Sequence, residues 1–281
     1  MIRKGAKRLS EKIMFKQQSR QQETKAMSDE TPVLTEVRGP ILIITLNRPE
    51  AKNAANLALS KGVAAAIDRL DADDALSVGI ITGAGGTFCS GMDLKGFLKG
   101  ERPSIPGRGF AGLTEAPPKK PLIAAVDGYA LAGGMEIALS CDMIVANRNA
   151  KFGIPEVKRG LAAAAGGLIR MPRQMPFRVA MEFALTGEFF GAERAYELGI
   201  INRVTDGPAL EAALQLAAAI GANGPLAVKA SKQVIVESRL WPEDQMWKKQ
   251  QEIVGPVFVS EDAREGAAAF AEKRAPNWKG K

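Results

Sequence analysis

Hydrophobic positions along the chain fall into two spacings. VLTEVRG from Val33 alternates apolar and polar residues, and ILIITLN from Ile41 is apolar almost without a break, so the pair predicts two short strands around Arg38-Gly39-Pro40. Residues 56–70, NLALSKGVAAAIDRL, carry the wider spacing of an amphipathic helix, and strand-like SVGIIT follows at 77–82. A similar sequence recurs, with a strand over 121–128, a helix over 134–141, a strand over 142–148 and a last short one at 201–204. The pattern then predicts helices over 166–186, 192–198, 207–222, 225–239, 243–254 and 261–273. Strands come early and helices late, which predicts an α/β fold, with a core over 28–224 and a helical region over 225–281. Residues 99–120 are rich in Pro and Gly and long for a connection, so they are a candidate lid or substrate-facing loop.

Composition narrows the class. With 281 residues, 46% hydrophobic and 25% charged, the chain reads as a soluble globular protein. No apolar run approaches the roughly 18–20 residues that span a bilayer. The net charge of +7 suggests a polyanion partner until it is located. Eight basic and two acidic side chains fall within residues 1–26, whereas 30 basic residues face 29 acidic ones in the rest. The basicity belongs to residues 1–27, read as an extension upstream of the fold, with an organelle-targeting peptide and an anionic-surface tether as the other readings. Cys89 and Cys141 make neither a CxxC nor a metal-ligand spacing, and suit a reducing, cytoplasmic setting. There is no histidine. Acid and base work must then fall to carboxylates, lysine, tyrosine or cysteine, and a nucleophilic cysteine lacks its usual activating partner.

Two glycine-rich turns each follow a strand: TGAGGTFCSGMD at 82–93 and DGYALAGGME at 127–136. Neither fits a nucleotide. Met92-Asp93 stand where a P-loop needs Lys-Ser/Thr, and Gly83-x-Gly85 lacks the third glycine of the dinucleotide fingerprint. Taken together, two such turns can aim one backbone amide each at a single oxygen, with a helix N-terminus near Gly133 or Gly134 adding partial positive charge. Glu136 alone reads as a first-turn helix stabiliser, and Glu156 alone as a loop or helix-start residue. Beside an oxyanion hole and without histidine, the two become a natural acid/base pair. Tyr129 reads as a packing residue, and the tryptophans Trp241, Trp247 and Trp278 as buried in the core or at an interface.

These residues carry a resemblance. LNRPEAKNA at 46–54, GIITGAGGTFCSGMDLK at 79–95, KPLIAAVDGYALAGGMEIALSCDMIVA at 120–146 and KFGIPEVKRGL at 151–161 resemble the enoyl-CoA hydratase/isomerase, or crotonase, family. So do LTGEFFGAERAYELGIINRV at 185–204 and EGAAAFAEKRAPNWKGK at 265–281. The resemblance implies a crotonase-like spiral of ββα units, a C-terminal helical trimerisation region, and a homotrimer or dimer of trimers. It gives the oxyanion amides to Met92 and Gly133. Glu136 would position and deprotonate the water that adds at C3, and Glu156 would exchange the proton at C2. Ala51, Lys52, Ala54, Asp93, Leu94 and Lys95 would line the CoA pocket. Phe270 and Lys273 would reach its phosphates, often from a neighbouring subunit.

An acyl-CoA substrate is implied, with no cofactor beyond its CoA moiety, no metal and no nucleic acid. Retention of both glutamates favours a hydro-lyase, and GRGFAGLTE at 107–115 with FAEKRAPNWKG at 270–280 leans towards carnitinyl-CoA dehydratase-like members. GLAAAAGG at 160–167 departs from the family pattern, with alanines in place of a proline-containing turn. Isomerisation or thioester hydrolysis on the same scaffold is the alternative. A non-catalytic binding protein acting through the basic segment stands behind both.

Overall fold

The computed structural model describes residues 31–281; the basic segment 1–27 lies outside them. In chain order the strands are β1 (Val33–Arg38), β2 (Ile41–Leu46), β3 (Val78–Gly83), β4 (Ser104–Ile105), β5 (Gly109–Phe110), β6 (Leu122–Val126) and β7 (Tyr129–Leu131). They continue with β8 (Met143–Asn147), β9 (Lys151–Gly153), β10 (Phe190–Gly191) and β11 (Arg203–Thr205). The helices are α1 (Leu57–Ala72), α2 (Leu94–Leu98), α3 (Gly133–Ser140), α4 (Gly167–Gln174) and α5 (Phe177–Thr186). After them come α6 (Ala192–Glu197), α7 (Ala209–Gly221), α8 (Pro225–Glu237), α9 (Met246–Phe258) and α10 (Glu261–Glu272).

Strands β1-β2-β3-β6-β8-β11 form one six-stranded sheet in that order. The β1–β2 hairpin is antiparallel, as the sequence predicts, and every later pairing is parallel. Parallel strands need crossovers, and α1 supplies the one between β2 and β3. Buried on both faces, β2 turns Leu42, Ile44 and Leu46 into the larger core and Ile41 and Ile43 towards α7. That is why its apolar run is continuous rather than alternating. Helix α7 lies close to the sheet because its inner stripe, Ala209, Ala213 and Ala217, is wholly buried alanine.

A second sheet of three short strands runs β10-β9-β7. Periodicity cannot find strands of two or three residues, and the sequence reading places none there. They set the rhythm of the fold. Strand β3 leads to the bridge Cys89↔Ala130 beside β7 and then to α2. Strand β6 leads to β7 and α3, and β8 leads to β9 and a short 3-10 turn, Pro155–Arg159. Each pass thus lays one strand in the large sheet, one in or beside the small sheet, and one helical turn.

Two expectations change. The helix predicted over 166–186 is two helices, because Pro176 has no amide to donate and drives Met175 to extended geometry, φ −132° and ψ 167°. The loop 99–120 contains the β4–β5 hairpin and is built into the core, with Pro103, Phe110, Leu113 and Thr114 buried. It faces the site as a packed wall. Trp278 packs against Gly224 and Gly266 and donates Nε1–H to Ala222 O, as expected, but Trp247 is 80% exposed.

Candidate active site

Both glycine-rich turns open onto one cavity of about 990 Å³. Hydrogen bonds lace them together. Cys89 N–H donates to Tyr129 O at 2.8 Å, and Leu131 N–H returns to Cys89 O at 3.0 Å. On the other side, Ala55 N–H donates to Gly91 O and Asp93 N–H to Ala55 O, which leaves the intervening Met92 N–H uncommitted. Gly133 N–H, at the start of α3, likewise donates to no acceptor among the described residues. Both residues line the cavity.

Close packing sets the direction of these amides. Gly91 has φ +106°, and a Cβ there would fall 2.7 Å from the Ala132 methyl and 3.3 Å from Gly133 N, so only glycine lets the two turns touch. Ala132 itself takes φ 54°, ψ −128°, a strained geometry for a residue with a side chain, and its N–H is tied to Gly153 O at 2.8 Å. The ring of Phe110 lies against Gly133, where a Cβ would come within 2.4 Å of it.

Beyond the amides stand the two glutamates. Glu136, in the first turn of α3, is 3% exposed and lines the cavity. Its Oε1 accepts from Ala165 N–H at 2.7 Å and Gly167 N–H at 2.9 Å. Burial pushes its pKa up, and those two amides and the Arg170 charge work against the rise. Glu156 starts the 3-10 turn after Pro155, with Oε2 buried and without a partner. Burial raises its pKa to about 7; its own backbone amide opposes this, the charge of Glu136 adds to it, and Arg159 opposes it. The same loop touches both residues, since Leu161 N–H donates to the backbone carbonyl of Glu156 while Ala165 and Gly167 N–H hold the carboxylate of Glu136. Burial thus raises both carboxylates, and the charge of Glu136 adds to the rise at Glu156.

Ala51, Lys52, Ala54, Leu94 and Lys95 also line the cavity, with Lys52 Nζ 5.4 Å from the centre of the Tyr129 ring. Asp93 lines it too, but its carboxylate is engaged. It accepts from Arg48 at 2.9 Å and caps α2 through the amides of Lys95 and Gly96. Burial works upward on its pKa, and these bonds outweigh it and hold the group low. Phe270 and Lys273, on and just after α10, are not among the cavity residues, and Phe270 is 88% exposed. Cys89 is buried, with its thiol pushed up to about 12 by burial, so it is no nucleophile. Among the described residues no cluster of three or more His, Cys, Asp or Glu side chains could hold a metal ion.

Sequence reasoning missed Asn53 and Arg170. Buried Asn53 donates to Ala84 O and Thr87 O and accepts from Arg48 N–H, which pins the first turn. Both act on backbone atoms, which leave no mark in a sequence.

Comparison with known proteins now has a geometry to meet. The sequence model of the family described as enoyl-CoA hydratase/isomerase matches residues 36–281. The chain belongs to that family. An enoyl-CoA hydratase of Mycobacterium tuberculosis is 45% identical over 257 residues, covering 87% of this chain and 95% of that protein. A carnitinyl-CoA dehydratase of Salmonella typhi is 43% identical over 253 residues, covering 86% and 96%. Among solved structures, an enoyl-CoA hydratase of Mycobacterium tuberculosis superposes with a TM-score of 0.88 at 59% identity, covering 90% of this chain and 100% of that one. The family resemblance drawn from the motifs is thus correct, as is the mixed α/β fold.

Proposed function

We propose that this enoyl-CoA hydratase/isomerase family member reversibly adds water across the double bond of a 2-enoyl-CoA thioester. The observation that carries the reading is the coexistence of two uncommitted amides and two glutamates in one cavity. Met92 and Gly133 N–H would hold the thioester oxygen, and their bonds strengthen as it gains enolate charge. Glu136, ionised and fixed by two amides, takes a proton from the water that attacks C3. Protonated Glu156 delivers a proton to C2. The step balances: the C3–O and C2–H bonds form as the C2=C3 π bond and one O–H bond of water break, the proton of Glu156 goes to C2, and the pair ends with its single proton on Glu136.

The CoA moiety runs past Ala51, Lys52, Ala54, Asp93, Leu94 and Lys95, with no other cofactor. Phe270 and Lys273 reach the CoA of a neighbouring subunit in a trimer or dimer of trimers. The two buried, free cysteines suit a cytoplasmic setting.

The relatives named carnitinyl-CoA dehydratase favour a second acyl group. Glu115 lines the cavity with no ion pair among the described residues, and suits a cationic acyl end. Purified protein should bleach the conjugated absorbance of short 2-enoyl-CoAs or of crotonobetainyl-CoA and yield 3-hydroxyacyl-CoA. A shifted alkene would mean isomerase, free CoA would mean hydrolase, and no turnover across the panel would refute the reading.

A further inference from the structure

Arg170, on the second turn of α4, lines no part of the cavity yet touches both walls that shape its reactive end. Nη2 donates to Thr114 O at 2.5 Å, in the packed loop that carries Phe110. Nη1 donates to Ala165 O at 3.3 Å, in the turn whose amides hold Glu136. The guanidinium has no acidic partner in a salt bridge among the described residues; its strongest attraction is to Glu136. Gly166, between the two amides that bind Glu136, has φ +100°, and a Cβ there would fall 2.1 Å from Arg170 Nη1. The left-handed backbone favours glycine at 166, and a Cβ there would displace the guanidinium beneath it.

A charged, partly buried side chain spent on two carbonyls of two different loops needs a reason, since a guanidinium offers five donors in a fixed plane and is costly to desolvate. Resting on the hydration reading above, we infer that Arg170 is a positioning residue. It fastens the 165–167 turn to the 110–114 loop, so that Ala165 and Gly167 N–H stay aimed at Glu136 Oε1 and the carboxylate keeps its other oxygen for water. Without this fastening the turn is free to rotate its amides away, and the effect falls on the chemical step rather than on CoA binding, because Arg170 itself lines no part of the cavity.

The test compares full-length Arg170→Met and Arg170→Lys with the unsubstituted protein. Arg170→Met lowers kcat for enoyl-CoA hydration at least tenfold, with KM and the Kd of non-reacting butyryl-CoA within threefold. Arg170→Lys, which keeps the charge but presents its donors from a single nitrogen, recovers a substantial part of the lost kcat. Amide hydrogen exchange supplies a readout that needs no turnover. In Arg170→Met the Ala165 and Gly167 amides exchange at least tenfold faster, and those of β6 do not change. A kcat within twofold for Arg170→Met, equal defects in Met and Lys variants, or unchanged exchange at 165 and 167 overturns the inference. Failure of the unsubstituted protein to hydrate any enoyl-CoA refutes the functional reading alone, and the exchange experiment then still decides the role of Arg170.

Discussion

Glu136 is buried and Glu156 half-buried, and they are partnered differently, with two amides on one and an orphaned oxygen on the other. Addition of water consumes Glu156 protonated and Glu136 ionised; elimination consumes the reverse. Both need one proton on the pair, and the ratio of kcat/KM in the two directions is fixed by an equilibrium constant that contains no proton. Hydration and dehydration should therefore share one bell-shaped pH profile, falling above about 7 as the pair loses its last proton. Different limbs in the two directions would disprove the shared-proton scheme. The same shift has a stability sign. Glu156 is raised, so the folded state holds its proton more tightly, and burial begins to cost stability as pH climbs from 4.5 through 7. Glu156→Gln should abolish turnover yet stabilise the fold at pH 8 by on the order of 1 kcal/mol, after allowance for solvent screening, and do nothing below pH 4, as read by denaturant melts. Gly133→Ala would drive a methyl into the Phe110 ring and turn the amide; kcat should drop about 10²–10³-fold, the loss typical of one missing oxyanion donor. These glutamates were legible in the sequence because a histidine-free chain with charge in apolar surroundings forces the question. Their holders were not, since Ala165 and Gly167 act through backbone N–H.

At the scale of elements, legibility followed length. The hairpin, α1, α7 and the large-sheet strands β3, β6 and β8 each run five residues or more and announce themselves by spacing. Strands β7, β9 and β10 do not, although β7 and β9 carry the chain to Gly133 and Glu156 and β10 follows directly on the cavity-lining Phe189. Pro176 was visible but outweighed by the apolar periodicity on either side of it. Helix α7 offers a direct test of how closely the sheet is covered. Ala213 is fully buried against β-strand side chains, so Ala213→Leu should destabilise by about 1–3 kcal/mol through overpacking, measured by urea unfolding, with little change if the helix can shift outward.

Across the whole molecule, apolar surface is left uncovered on the late helices. Phe177 and Leu185 on α5, Trp247 and Phe258 on α9 and Phe270 on α10 are each at least 66% exposed. Side chains of this kind are what the trimer proposed above would cover. Sedimentation should find a trimer or its multiple, and Phe270→Asp should lower the assembly state and raise KM for the CoA thioester. A monomer at micromolar concentration would remove both expectations. The lacing of the two glycine turns has a wider consequence. The amides that would grip the thioester are owned by the main chain, and substitutions at Met92 leave that donor in place. The proton carriers are ordinary side chains, each one codon change from a different residue. Such a scaffold can hand down its grip on the thioester unchanged while the reaction performed beside it is rewritten one carboxylate at a time.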